Sequence, residues 1–439
     1  MVLNNNKKNK PQLLLLGAIG FFATWGEGMQ HVLPKSSVIY PILVALYIVV
    51  NFDRLSKVIK RRAIVPQEFK FLFLYILIHT FVYILFNLQS IGFGTEVRMA
   101  NEEGFSYGRA ESGVIIVRYF LFFLFSLILT VVLSNNRRLN FFSTAYVLGF
   151  ICTILLGGAS HGYGNSLVRI SGGLKDPNAM AFDAIISFIF SLYLYGQNRN
   201  KTVKFLFIVS MIIEFLAIFL SFSRGAYLAL MLWGFYYMYR KGLLNNVWKF
   251  SLAALTFFFI GYIAIKTIGI DTEVLEDRFS VQEIKERRGA SRGYIWEAYI
   301  DNIDQYALTG TGIANSSSVL KGNRFGVEEN YETHNLYLQM FVEYGIVGLL
   351  LYLLYWRNFF RVYKKVTGGH FILISMGIIL LVVTFFLNID KGRTYWIVFA
   401  TLNMVWMSNS PIKGNMRKKN NSNFLKEIDI HSKGLYSII

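Results

Sequence analysis

Apolar runs about as long as a bilayer is thick recur along the chain and limit its fold more than any other feature. A helix needs roughly 20 mostly apolar residues to cross a hydrocarbon core of about 30 Å. We predict twelve transmembrane spans, at 12–26, 37–51, 70–90, 114–133, 141–158, 179–196, 204–221, 225–239, 249–268, 336–356, 370–388 and 394–408. The first, second and eighth of these spans are short, so the number of spans is open by one or two.

The composition agrees with a membrane fold. The chain of 439 residues is 54% hydrophobic and 17% aromatic, whereas soluble domains are typically about 45–50% apolar. The excess apolar surface must face lipid. The sequence therefore predicts an all-α, polytopic membrane protein of about twelve transmembrane helices with one large extracytoplasmic loop.

Basic residues in alternate short loops predict the orientation, because such loops stay in the cytoplasm. Examples are Lys57, Arg61, Arg137, Arg138 and Arg240. Both ends of the chain are then cytoplasmic. The net charge of +18 is explained by contact with anionic membrane lipids, and we expect no nucleic-acid partner because no soluble domain carries a basic stripe with interleaved aromatic residues.

We divide the chain into four parts: about nine spans in 1–268, an extracytoplasmic loop in 269–335, about three spans in 336–408, and a basic cytoplasmic tail in 409–439. Apolar residues spaced by three and four in RFSVQEIKERR and SRGYIWEAYIDNI predict short amphipathic helices in the loop. We expect the loop to rest on the membrane face through Tyr294, Trp296, Tyr299 and Ile300.

Several kinds of chemistry have no visible site. Cys152 is the single cysteine, and the six histidines show no metal-ligand spacing. No nucleotide-binding glycine loop and no nucleophile elbow occurs. We expect neither a metal nor a cofactor.

Two arginines are candidates for binding an anion. Arg224 lies between two apolar runs with almost no loop to hold it, and its planar guanidinium can grip a phosphate at two points. Arg292 opens the predicted loop helix, where free backbone N–H groups also favour anions. Alternatively, Arg224 anchors a helix end at the membrane surface. The alternative for Arg292 is a solvated charge in the loop.

His334 lies where the loop returns to the membrane, close to Glu332 and Asn335. Histidine is the side chain best suited to take a proton from a hydroxyl near neutral pH. A helix-capping or interfacial histidine is the alternative.

A second group of candidates precedes the sixth span and comprises Arg169, Asp176 and Asn178. Pro177 lies between the last two, at the expected start of the helix. Helix capping explains much of this pattern, but it does not explain the arginine.

Four segments in order resemble one family. They are RISGGLKDPNAMA (169–181), SFSRGAYLAL (221–230), SRGYIWEAYIDNIDQYALTGTGIAN (291–315) and THNLYLQMFVEYGIVGLLLYL (333–353). The chain resembles the bacterial superfamily of O-antigen ligases and O-antigen or capsular polysaccharide polymerases over roughly 165–355. The resemblance implies an enzyme on the outer side of the cytoplasmic membrane that acts on undecaprenyl-pyrophosphate-linked glycans.

By this resemblance Arg224 and Arg292 hold the pyrophosphate and His334 activates the acceptor hydroxyl. Arg169 and Asn178 match an earlier element of the family. A pyrophosphate neutralised by two arginines leaves without help from a metal or cofactor, and attack from the opposite face inverts the anomeric carbon. We expect Arg292 and His334 to face Arg224.

We expect a polymerase, with a ligase as the first alternative and a flippase as the second. A polymerase joins one lipid-linked repeat unit to another, with a flippase and chain-length regulators as candidate partners. A ligase transfers the glycan to lipid A core. A lipid-linked oligosaccharide flippase would also have about twelve spans, but it would carry its charges near the midplane.

Overall fold

The computed structural model describes most of the helical core. It covers 4–26, 29, 32–33, 36–52, 65–86, 95–97, 108–110, 112–157, 171–174, 176–243, 292–320, 332–364, 366–388 and 392–409, with single positions 248, 251, 255, 259, 263 and 266. Regular structure in these residues is almost entirely helical, which confirms the predicted helical class. The predicted helix in 278–288, most of the ninth span and nearly all of the tail lie outside the described residues.

The described helices follow the predicted spans in order, with ends that shift by several residues. They are α1 (Asn4–Phe22), α2 (Ser36–Val50), α3 (Gln67–Phe86), α4 (Ser112–Val132), α5 (Asn136–Gly157), α6 (Pro177–Gln197), α7 (Lys201–Leu220), α8 (Arg224–Arg240), α9 (Arg292–Asp301), α10 (Leu336–Tyr363), α11 (Gly369–Ile374), α12 (Met376–Val383) and α13 (Arg393–Asn409).

Six of these helices are long and apolar enough to cross a membrane, namely α3 to α7 and α10. Shorter apolar helical stretches lie at Lys10–Phe22, Val38–Val50 and Gly369–Val383. The total number of crossings therefore stays a prediction.

A short antiparallel ribbon is the one strand pairing in the part of the chain that the structure describes. It pairs β1 (Thr95–Val97) with β2 (Gly108–Ala110), in the register that sets Glu96 opposite Arg109. This ribbon was not predicted from the sequence, because strands of three residues have no recognisable periodic pattern.

Helix α13 lies at the centre of the bundle. Every residue from Thr394 to Trp406 is buried, and the helix packs against α4, α10, α11 and α12. A helix that is apolar all round belongs in a core. Helix α3 is the opposite case, because only its face with Phe69, Leu72 and Ile76 is buried and the other faces are free to contact lipid.

Helix α10 bends at Gly345, and the bend changes its hydrogen bonding. Gly345 has φ 65° and ψ −170°, which interrupts the helical pattern of N–H groups bonding four residues back. Ile346 N–H instead donates to the carbonyl of Ala307 at 2.9 Å, while Thr311 N–H donates to Val342 O at 2.8 Å. The loop segment 307–312 thus supplies the partners that the bend removes.

Glycine is required on both sides of this contact. A Cβ at Gly345 would lie 2.8 Å from the carbonyl carbon of Leu308, and a Cβ at Gly310 would lie 2.7 Å from Tyr344 N. Both glycines also have positive φ, which L-residues with a Cβ rarely adopt. The glycine-rich loop therefore packs directly on the membrane helix.

The loop helix α9 begins at Arg292 and is more deeply buried in the protein than its predicted contact with the membrane face implied. Tyr299, which we expected against the membrane face, is fully buried in a cluster with Tyr306, Val319 and Val342. That expectation was wrong for Tyr299 because loop residues fold over this side of the helix. Tyr294 and Ile300 stay exposed.

Candidate active site

A tight turn joins α7 to α8 and positions Arg224. Phe222 adopts φ 50°, and the Ser221 hydroxyl accepts a hydrogen bond from Ser223 N–H at 3.1 Å. The Ser223 side chain caps α8 by accepting from Ala226 N–H at 3.4 Å. Arg224 is therefore the first residue of α8, partly buried at the positive end of the helix dipole.

Asp176 and Asn178 lie at the start of α6. The Asp176 carboxylate accepts hydrogen bonds from the Asn178 backbone N–H at 2.9 Å and from its side-chain amide at 3.1 Å. Pro177 occupies the first turn. These contacts are a helix N-cap, so capping accounts for the sequence pattern, and it leaves Asp176 free to act on charges beyond the helix end.

His334 lies just before α10 in a backbone conformation that is uncommon for residues other than glycine. Its φ is 48°, in the left-handed region that costs roughly 1–2 kcal/mol. Asn335, not His334, caps α10, because its side chain accepts from Tyr337 N–H at 3.0 Å and Leu338 N–H at 3.1 Å. The capping alternative therefore does not apply to the histidine.

Thr333 fixes the chain on the other side of His334. Its carbonyl accepts a hydrogen bond from the indole Nε1–H of Trp296 at 2.8 Å. Its hydroxyl lies 2.9 Å from Gln339 Oε1 and 3.0 Å from Asn388 Oδ1. His334 is thus held between two residues that are anchored to α9, α10 and the segment after α12.

The charges around His334 act on its pKa. Burial lowers the pKa of His334 below its usual value, and the guanidinium of Arg292 lowers it further. The carboxylates of Glu332 and Asp176 oppose this by raising the pKa. The lowered pKa keeps the imidazole neutral at neutral pH, and a neutral imidazole is the form that accepts a proton.

The structure therefore brings together His334, Arg292, Glu332 and Asp176, which come from three separate parts of the sequence. Asn335 adjoins them as the α10 cap, and Asn178 adjoins them through its bonds to Asp176.

Arg224 reaches the same end of the bundle through packing. Its neighbour Gly225 lies against the Phe386 ring, and a Cβ at Gly225 would be 3.0 Å from that ring. Leu336 N–H at the start of α10 donates to Thr384 O at 2.8 Å. The positive ends of α6, α8, α9 and α10 thus lie at one end of the bundle. Arg169 lies outside the described residues.

Sequence reasoning missed Thr333 and Asn388 as parts of the site. Asn388 also donates from Nδ2 to Glu332 Oε2 at 3.4 Å and to Gln339 Oε1 at 3.2 Å. In the sequence, Asn388 is marked only as a polar residue at the end of a predicted apolar span. This is weak evidence for a site residue, because many spans end on a polar residue.

Two other charged residues have partners of their own: Glu214 is buried within the seventh predicted span, and Arg393 is partly buried just before the twelfth. Glu214 on α7 accepts hydrogen bonds from Ser187 at 2.5 Å and Ser191 at 2.9 Å, both on α6. Arg393 at the start of α13 donates to the carbonyl of Phe22 at 3.2 Å and lies over the ring of Tyr40 at 4.9 Å. These contacts join helices. Among the described residues no group of three His, Cys, Asp or Glu side chains could hold a metal ion.

Residues 206–353 match the family model described as O-antigen ligase. This part of the chain is similar to the O-antigen ligase family. The match includes three of the four sequence segments, all but 169–181, and supports the resemblance drawn from them, while the apolar helices support an integral membrane protein. No curated protein and no solved structure matches the chain.

The matched segment runs from α7 into the second half of α10 and so contains Arg224, Arg292 and His334. Asp176 and Asn178 lie before the matched segment, and Asn388 lies after it. The candidate site therefore includes residues on both sides of the matched segment.

Proposed function

We propose that the chain is a glycosyltransferase that polymerises undecaprenyl-pyrophosphate-linked oligosaccharide repeat units into O-antigen, capsular polysaccharide or exopolysaccharide. The similarity of residues 206–353 to the O-antigen ligase family supports the reaction class. The observation that carries the proposal is the placement of His334, with a lowered pKa, beside Arg292 at an end of the bundle where four helices present their positive ends.

In this proposal the site faces outward from the bacterial cytoplasmic membrane. The chain crosses the membrane about twelve times, with both ends in the cytoplasm. The loop 269–335 lies outside between the membrane parts 1–268 and 336–408, and the tail 409–439 lies inside. Basic residues such as Arg240, at the far end of α8 from Arg224, support this orientation.

His334 acts as the general base. Its neutral imidazole takes the proton from an acceptor sugar hydroxyl as the oxygen attacks the anomeric carbon of the donor. The bond between that carbon and the pyrophosphate oxygen breaks, and the electron pair leaves with undecaprenyl pyrophosphate. The lowered pKa of His334 then favours return of the proton to water.

Arg224 and Arg292 stabilise the leaving group. Charge develops on the pyrophosphate as the bond to carbon breaks, and fixed guanidinium groups stabilise that charge more than they stabilise the ground state. Each arginine is the first residue of its helix, so helix dipoles add to the positive potential. No metal or cofactor is needed, and the anomeric carbon is inverted.

The ligase reaction is a second candidate because the matched family model is described as O-antigen ligase. The two reactions share the donor, the base and the leaving group, and they differ only in the acceptor. A polymerase uses a second lipid-linked repeat unit and works beside a flippase and a chain-length regulator. A ligase uses lipid A core.

The test is glycan transfer in proteoliposomes that contain the purified protein and lipid-linked repeat units extracted from host cells lacking it. We expect His334→Ala to lower the rate by about 10²–10⁴-fold and Arg224→Ala or Arg292→Ala to lower it by about 10²–10³-fold. Chelation with EDTA should leave the rate unchanged. Products of many lengths indicate a polymerase, and transfer only to added lipid A core indicates a ligase.

Matched controls are His370→Ala and Arg199→Ala, which make the same substitutions at the other end of the bundle. His370 lies in the first turn of α11, and Arg199 is exposed between α6 and α7. Both should retain the wild-type rate. Full activity of His334→Ala would refute the proposed base, and flipping of the donor without transfer would indicate the transporter instead.

A further inference from the structure

A buried chain of hydrogen bonds leads away from His334 into α10. Gln339 is fully buried, and its side-chain nitrogen Nε2 donates to the Ser316 hydroxyl at 3.0 Å and to Glu343 Oε1. Its oxygen Oε1 faces the Thr333 hydroxyl at 2.9 Å and Asn388 Nδ2 at 3.2 Å. The network therefore joins Glu343 to the residue that precedes His334.

Glu343 determines which way the Gln339 amide points. Glu343 Oε1 accepts a hydrogen bond from the backbone N–H of Ala314 at 3.0 Å, and a backbone N–H can only donate. An oxygen that accepts from Ala314 also accepts from Gln339, so the Gln339 NH₂ group must face Glu343. The Gln339 oxygen is thereby turned toward Thr333.

The orientation of Gln339 then determines that of Asn388. Because Gln339 presents an oxygen, Asn388 must present its NH₂ group, which also reaches Glu332 at 3.4 Å. The Asn388 oxygen is left to accept from the Thr333 hydroxyl. The Thr333 hydroxyl has a single proton and also lies 2.9 Å from both Gln339 Oε1 and the Asn335 carbonyl oxygen, so it donates to one of these three oxygens at a time. The orientations of the two amides follow from Glu343.

His334 needs such a fixed setting because of its backbone. Its φ of 48° is disfavoured for a residue with a Cβ, and conformations of this kind persist only where the surroundings hold them. Thr333 is held by Gln339 and Asn388, and Glu332, held by Asn388, acts on the charge of the imidazole.

We propose that Glu343 and Gln339 are positioning residues that hold His334 in its productive orientation through Thr333 and Asn388. The inference rests on the proposed function of His334 as base. Both side chains are buried, so we expect loss of the network to affect turnover and not donor binding.

The experiment compares two replacements of Glu343 in the proteoliposome assay with extracted lipid-linked repeat units. Glu343→Gln keeps a side-chain oxygen that can accept hydrogen bonds. Glu343→Met has a side chain of similar volume but no such oxygen. We expect kcat to fall about tenfold in Glu343→Met, with KM unchanged, and to stay within about twofold of wild type in Glu343→Gln.

Gln339→Met tests the route of the effect. If Glu343 acts through Gln339, the double variant Glu343→Met, Gln339→Met loses no more activity than Gln339→Met alone, because the effects of substitutions within one hydrogen-bond network are not additive. Gln339→Met also tests the network if Glu343→Met does not accumulate in membranes. Additive losses would overturn the proposal.

Glu214 provides the matched control, since it is another buried glutamate that accepts two hydrogen bonds on a membrane helix. Glu214→Met should keep the wild-type kcat per folded molecule. Equal kcat in Glu343→Met and wild type, or equal losses in both Glu343 variants, would overturn the inference. If His334→Ala is also active, the proposed function fails instead.

Discussion

The bend in α10 yields a prediction whose size can be worked from the structure. Gly345→Ala places a Cβ on a residue with φ 65° and ψ −170°, a region used almost only by glycine, at a cost of about 1–3 kcal/mol. The Cβ would also lie 2.8 Å from the carbonyl carbon of Leu308 and 3.1 Å from Gly310 N, so the loop segment 307–312 must move.

That movement breaks hydrogen bonds between the segment and α10. Those from Ile346 to Ala307, from Thr311 to Val342 and from Gly312 to the Glu343 carbonyl are 2.8–3.0 Å long. Each contributes about 0.5–1.5 kcal/mol. Together with the backbone strain, Gly345→Ala should destabilise the fold by about 2.5–7.5 kcal/mol.

Two other glycines serve as controls that distinguish the cost of backbone strain from the cost of the lost hydrogen bonds. Gly368 has φ 65° but nothing within 4 Å of a Cβ, and Gly196 in α6 has open space and a helical backbone. Gly368→Ala should cost only the strain, about 1–3 kcal/mol, and Gly196→Ala should be neutral or slightly stabilising.

The assay is thermal unfolding of each purified variant in detergent, followed by tryptophan fluorescence. The expected order of unfolding temperatures is Gly196→Ala highest, Gly368→Ala intermediate and Gly345→Ala lowest. Unfolding of Gly345→Ala at the same temperature as Gly368→Ala would refute the contact between the loop and α10 as a source of stability.

Two further predictions concern His334. Glu332 raises the pKa of His334, so Glu332→Gln should lower that pKa and move the acid limb of the kcat/KM profile to lower pH; a shift to higher pH would contradict the charge assignment. Trp296→Phe removes the N–H donor to the Thr333 carbonyl and should lower kcat about 2- to 10-fold. Trp233→Phe is the control, because it loses a hydrogen bond of 2.7 Å to the Ser375 hydroxyl far from His334 and should leave kcat unchanged.

The helices were predictable because lipid demands long apolar runs, and the order of described helices follows those runs. Arg224 and His334 became candidates for the same reason, since a charged or titratable residue beside an apolar run is costly unless it has a task. Arg292 became a candidate because it opens the predicted loop helix. The helix ends were less predictable, as α10 continues to Tyr363 because its last turns pack on other helices.

The network around His334 could not be predicted. Asn388 and Thr333 are 55 residues apart, and only the tertiary fold brings them together. The bend at Gly345 was hidden within an apolar run that reads as a continuous helix. Tyr299 was placed wrongly because an amphipathic pattern does not say whether its apolar face meets lipid or other loop residues.

The hydrogen bonds at the bend have a consequence for exchanging parts between relatives. The segment 307–312 completes the bonding of α10, and Glu343 on α10 accepts from Ala314 in the loop. The conformations of the loop and of α10 therefore depend on each other. A chimera that takes the loop from one relative should fold only if the first half of α10 comes from the same parent.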